Sequence, residues 1–115
     1  MTDVELVADH VERFNHGVRS GDFGPMLERF ADDSVLEFEG VPVGPFHGIE
    51  AIRTAYREQP PDDEIDVGEP RLEGDTVIAE YAWRRDEGRR AGELRLTARD
   101  GLITHLVVGF DEQPG

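Results

Sequence analysis

Cysteine is absent from this 115-residue chain. Its absence excludes a disulfide frame, a thiolate nucleophile and a thiolate metal site, and makes a cytoplasmic location the plain expectation. Lysine is absent too, since all 12 basic residues are Arg. Without that amine there is neither Schiff-base chemistry nor a phosphate-cradling P-loop. GC-rich codon usage is the simplest source of this bias. Serine is nearly missing. Ser20 lies in "RSGD" and Ser34 just before an expected strand, neither at the sharp elbow that exposes a nucleophile. No apolar run reaches membrane-spanning length, and "MTDVELVADH" opens acidic rather than basic. Neither an anchor nor a signal peptide is expected.

Positive charge is the other scarcity. With 26 acidic residues against 12 basic ones the net charge is −14. Such a field repels phosphate backbones and anionic lipid, so neither nucleic acid nor a membrane is an expected partner. His10, His16, His47 and His105 form no H-E-x-x-H or other close pair, so no metal and no cofactor is expected. By elimination, any chemistry rests on Asp, Glu, His, Tyr or Thr, or on bound water. The length fits one domain over residues 1–115, burying roughly two-thirds of the surface its unfolded form exposes.

In "VELVADHVERFNHGVRSGD" apolar residues fall at Val4, Val7, Ala8, Val11, Phe14 and Val18, the spacing of a helix with one buried stripe. Thr2 and Glu5 make a capping box at its start, and Gly21 a stop at its end. A short second helix follows, with Pro25 in its first turn and Leu27, Phe30 and Ala31 inward. "SVLEFEG" alternates, setting Leu36 and Phe38 against Val35, Glu37 and Glu39. After the loop "GVPVGPFHG", "IEAIRTAYRE" predicts a third helix with Ile49, Ile52, Ala55 and Tyr56 on its buried stripe. Strands are expected over about 65–73, 75–86, 89–99 and 102–111, with "DEG" and "RDG" as hairpin turns between the last three. The sum is an α+β fold, with three N-terminal helices packed on one face of a curved, mostly antiparallel sheet.

The order of a long first helix ending in "SGD", then "LERFADDSVLEF", "FHGIEAIRTAYRE" and a strand meander resembles the nuclear-transport-factor-2-like superfamily. Within it the SnoaL-like and ketosteroid-isomerase-like subgroup is the nearest match. The resemblance covers essentially the whole chain and implies a cone that encloses a pocket, with the outer sheet face forming a homodimer. It says little about activity, because the fold hosts isomerases, cyclases, hydrolases and non-catalytic subunits.

Ketosteroid isomerase chemistry needs a carboxylate base and two neutral donors for an oxyanion. By resemblance the base position, counted from the "FADD" turn, is Phe38, and the oxyanion tyrosine is replaced by Phe14. The second donor falls near Glu93 or Leu94, and alternation in "GELRLTA" favours Leu94 inside. All three polar groups are then replaced by apolar ones, so that reaction is not expected. Asp32 and Asp33 are expected at a helix-to-strand turn, accepting local backbone hydrogen bonds.

The expected cavity lining is Phe14, Leu27, Phe38, Tyr56, Tyr81, Trp83, Leu94, Leu106 and Phe110. Tyr81 and Trp83 alternate with Val77 and Ala79 and would supply one O–H and one N–H to orient a ligand. His105 is expected on the outer face with Ile103 and Val107. Asn15 is a minor candidate for holding a water, and Arg84, Arg85, Arg89 and Arg90 form a solvated hairpin tip. Two functions remain open. One is a binding protein for a hydrophobic polyketide, steroid or terpenoid-like small molecule. The other is an isomerase, cyclase or hydrolase using Glu37, His47 or a pocket tyrosine to handle protons. The first needs Phe38 facing the cavity. Glu37 there, through a register slip or bulge, would favour the second.

Overall fold

A computed structural model describes residues 2–86 and 89–111. Helix α1 spans Asp3–Ser20 and begins at the capping box: Glu5 N–H donates to Thr2 Oγ1 at 3.1 Å, and Thr2 N–H donates to Glu5 Oε1 at 3.0 Å. It stops at Gly21, whose φ of 82° favours a residue with no Cβ. Helix α2 is a single turn, Gly24–Leu27, and α3 spans Ile49–Glu58. The strands are β1 Phe30–Glu39, β2 Phe46–His47, β3 Ile65–Val67, β4 Arg71–Glu73, β5 Thr76–Trp83, β6 Gly92–Arg99 and β7 Leu102–Gly109. They form one seven-stranded curved sheet in the order β2-β1-β7-β6-β5-β3, with β4 also pairing β5. Only β1 and β7 run parallel. Among the described residues no helix is long and apolar enough to cross a membrane.

Several boundaries differ from the sequence expectation, each for a non-local reason. Phe30 and Ala31 were expected on the second helix, but Phe30 opens β1, pairs with Ile103 and is buried there. Between Phe30 and Val35 the register against β7 shifts, and Asp32 and Asp33 lie exposed in that irregular stretch rather than in a turn before the strand. The expected strand over 65–73 is two pieces, broken where Pro70 removes a backbone donor. Residues 84–86 form a 3-10 turn instead of ending β5. The "DEG" turn includes residues 87 and 88, which lie outside the described residues. The "RDG" turn stands, with Asp100 at φ 55° and Gly101 at φ 77°, the pair of positive angles that a tight hairpin of this hand requires. A second register shift, between Thr97 and Ala98, turns Ile103 into the core and away from the outer face expected for it.

The helices cover the concave face. Leu6, Val7 and Val11 of α1 and Ile52 of α3 meet Leu36, Val77, Leu96 and Leu106 of the sheet in one buried cluster. Asn15 locks α1 to the short strand β3. Its Nδ2 donates to the Ile65 carbonyl and its Oδ1 accepts from the Ile65 N–H, both at 2.9 Å. The side-chain amide thus acts as a strand partner, which is a structural use rather than the water-holding one expected. Near the far end of the sheet β6 and the end of β7 approach so closely that a Cβ on Gly92 would lie 1.8 Å from the Gly109 carbonyl oxygen.

Candidate functional site: an apolar cavity under the helices

The sheet and helices α1 and α3 leave a cavity of about 490 Å³ between them. Period-2 alternation aims Leu36 and Phe38 of β1, Tyr81 and Trp83 of β5, Leu94 of β6 and Leu106 and Val108 of β7 at it. Phe14 enters from α1, Tyr56 from α3, and Phe110 from just past β7. Aromatic contacts fix the walls: Phe38 meets Phe46 edge-on at 6.2 Å, and Tyr81 meets Trp83 edge-on at 6.0 Å. The exposed residues Pro42, Val43, Glu58 and Gln59 lie at the rim.

Few polar groups reach this space, and burial governs each of them. Tyr81 Oη donates to the Gly109 carbonyl at 3.0 Å, so the proton of that hydroxyl is already committed. Burial raises the Tyr56 phenol well above its ordinary range, and burial with the Asp111 carboxylate does the same to Tyr81, so both stay neutral donors. Trp83 brings its indole to the same wall, and α1 adds His10, only 3% exposed and in ring contact with Phe14 and Phe30. Its Nδ1 is buried with no hydrogen-bond partner. Burial pushes its pKa down to about 4, against a smaller upward pull from Asp9. The imidazole is therefore uncharged at neutral pH. Among the described residues no group of three His, Cys, Asp or Glu is placed to hold a metal ion.

The SnoaL-like domain model matches residues 11–106. The chain belongs to the SnoaL-like domain family. A protein from Sphaerobacter thermophilus is 18% identical with a TM-score of 0.73, covering 98% of this chain and 99% of that one. A Sinorhizobium meliloti protein named "putative polyketide cyclase" is 23% identical with a TM-score of 0.62, covering 86% and 92%. A Kribbella flavida protein named "putative ketosteroid isomerase" is 18% identical with a TM-score of 0.67, covering 100% and 84%. These likenesses establish the nuclear-transport-factor-2-like fold and leave the activity open. Comparison with curated proteins gives no match.

In this SnoaL-like chain eight of the nine expected lining residues stand on the cavity wall: Phe14, Phe38, Tyr56, Tyr81, Trp83, Leu94, Leu106 and Phe110. Leu27 does not, because α2 is too short to carry it there and it packs into the core instead. The two proton-handling candidates also lie elsewhere. Glu37 projects from the other side of β1 and meets His105 Nε2 at 2.5 Å, with both side chains nearly half exposed. His47 is exposed on β2, its register partner being Val35 on that same outer side. Phe38, Phe14 and Leu94 line the cavity, but so does His10, an imidazole not among the expected lining or proton-handling residues. It lies one helical turn before Phe14 and three residues after Val7, so the stripe that located Phe14 was the signal for it.

Proposed function

We propose that this SnoaL-like protein binds an uncharged, largely apolar small molecule of polyketide, steroid or terpenoid-like size in the cavity. The observation that carries this reading is the 490 Å³ space walled by aromatic and aliphatic side chains, with Glu58 at the rim as the one carboxylate and no Arg among the described residues that line it. That volume is within the range of pockets that enclose drug-sized ligands. The names of two structural neighbours, "putative polyketide cyclase" and "putative ketosteroid isomerase", add support. Neither Glu37 nor His47, the candidate bases of the rival isomerase, cyclase or hydrolase reading, is among the residues lining the cavity, which favours binding. A pocket tyrosine held neutral by burial is a hydrogen-bond donor and a poor base. Homodimer formation through the outer sheet face remains a proposal, tested by light scattering on the eluting protein.

The test is thermal unfolding with a steroid, an aromatic polyketide and a sesquiterpene, each at concentrations up to its solubility. A ligand at 100 times its Kd adds about 2.7 kcal/mol to the folded state, a shift of several degrees for a chain this size. Stabilisation without chemical change of the ligand fits binding. Turnover of the ligand would favour the enzyme reading, and no shift with any of the three would count against both.

A further inference from the structure

We propose that His10 is the recognition group of the cavity, hydrogen-bonding through its neutral imidazole to a hydroxyl on an otherwise apolar, uncharged ligand. The inference deepens the binding reading above and rests on it. Among the described residues His10 is a cavity-wall side chain only 3% exposed whose buried Nδ1 the packing leaves without a partner. Its aromatic neighbours are Phe14 and Phe30, neither of which offers a side-chain donor or acceptor. The adjacent carboxylate does not serve it. Asp9 Oδ2 lies in ion-pair contact with Arg13 Nε at 2.9 Å and Arg29 Nε at 3.2 Å, neither aligned as a hydrogen bond.

A buried polar atom without a partner is costly, and native interiors keep few of them. Nδ1 has no exposed surface, so a ligand would meet the ring at Nε2 and leave Nδ1 as it is; the imidazole's place on an otherwise apolar wall, more than the cost at Nδ1, is what suits it to a hydroxyl. Which nitrogen carries the proton depends on that meeting. A hydroxyl suits either tautomer, since it donates to a bare nitrogen and accepts from an N–H. A carboxylate does not suit the site. It would have to protonate His10 against its burial, with no Arg on the wall to share the charge. The selected class is therefore a phenol, enol or alcohol on a hydrophobic frame.

Three probes of one shape separate the outcomes: 2-naphthol, 2-methylnaphthalene and 2-naphthoate, titrated at pH 7.5 into the wild type and His10→Phe. The wild type should bind 2-naphthol about tenfold more tightly than 2-methylnaphthalene, and 2-naphthoate most weakly. In His10→Phe the preference for the hydroxyl should vanish while 2-methylnaphthalene binds as well as before. Equal binding of naphthol and methylnaphthalene by the wild type would overturn the proposal and leave the cavity reading standing. Tightest binding of 2-naphthoate would overturn it in favour of an ion pair. Binding of none of the three would overturn both. If His10→Phe does not fold, the wild type alone decides through its imidazole ¹⁵N resonances. The His10 ring nitrogens should move on saturation with 2-naphthol and stay in place with 2-methylnaphthalene, and unmoved resonances with bound naphthol would overturn the assignment.

Discussion

The two faces of the sheet handle polar groups in opposite ways, and its two flanking histidines show it best. His10 faces the concave side, almost fully buried, with an unpartnered nitrogen and a pKa pushed down to about 4. His105 stands on the convex side, 43% exposed, beside the Glu37 carboxylate. The convex face adds Arg95 paired with Glu39, and Arg90 reaching Glu80, Glu93 and Asp111. Charge on that side is met by opposite charge and by water. On the concave side the described residues bring one carboxylate, Glu58, to the cavity rim, and the imidazole on the wall is neutral. An imidazole's role is thus set by whether water can reach it, which makes the buried one the functional candidate.

Residues 36 and 37 make the sharpest trial of this division, being neighbours in sequence on opposite faces. Leu36→Ala should destabilise the fold by about 3–4 kcal/mol, because Leu36 is fully buried and the rigid cavity wall cannot collapse into the gap. Chemical denaturation measures it. A loss below about 1 kcal/mol would mean that the concave face is far looser than its packing indicates.

His10 gives the next largest effect, and its sign follows from linkage. Its folded pKa of about 4 lies below the ordinary 6.5, so the unfolded chain binds the extra proton between those values. Above pH 6.5 both states are neutral and the site is indifferent to pH. As pH falls from 6.5 to 4 the folded state loses about 3 kcal/mol relative to the unfolded one, and the loss is complete below 4. Carboxylates titrate nearby, so the measurement is the difference between wild type and His10→Phe in urea melts at pH 7 and pH 4.5. The variant should lose less stability on acidification. Parallel curves would show that His10 titrates normally and that water reaches it.

Asn15 is the buried polar group of α1 that does find partners, and Asn15→Leu should cost about 2 kcal/mol by leaving the Ile65 N–H and carbonyl unpaired. Faster amide exchange at Ile65 than in wild type is the local readout. Unchanged exchange would mean that β3 holds its place without α1.

How much of the structure is legible in the sequence follows the range of the forces involved. Helix α1 was legible at both ends because Thr2, Glu5 and Gly21 act on their own few residues. The β1 alternation was legible because parity alone separates Phe38 from Glu37 once one face is apolar. The start of β1 was not, since "ERFADD" suits a helix end as well as a strand, and pairing with Ile103, 73 residues away, decides it. Leu27 was misplaced because the length of α2 is set by that same long-range pairing. His10 had a readable helical angle. That an aromatic ring without a donor or acceptor would face it depends on β1, which brings in Phe30, and no local pattern carries that information.

The smallest expected effect belongs to Glu37. Its contact with His105 joins two side chains each more than two-fifths exposed, where water screens the attraction and side-chain freedom is lost in forming it. Glu37→Gln should therefore change stability by no more than about 0.5 kcal/mol, and less still in about 0.5 M salt. Binding of 2-naphthol should stay within about twofold of wild type, because residue 37 points away from the cavity wall that Phe38 supplies. Titration of the variant with that probe is decisive. A tenfold loss of binding would place the Glu37 carboxylate inside the cavity in solution, which requires β1 to slip by one residue and carry Phe38 out to solvent.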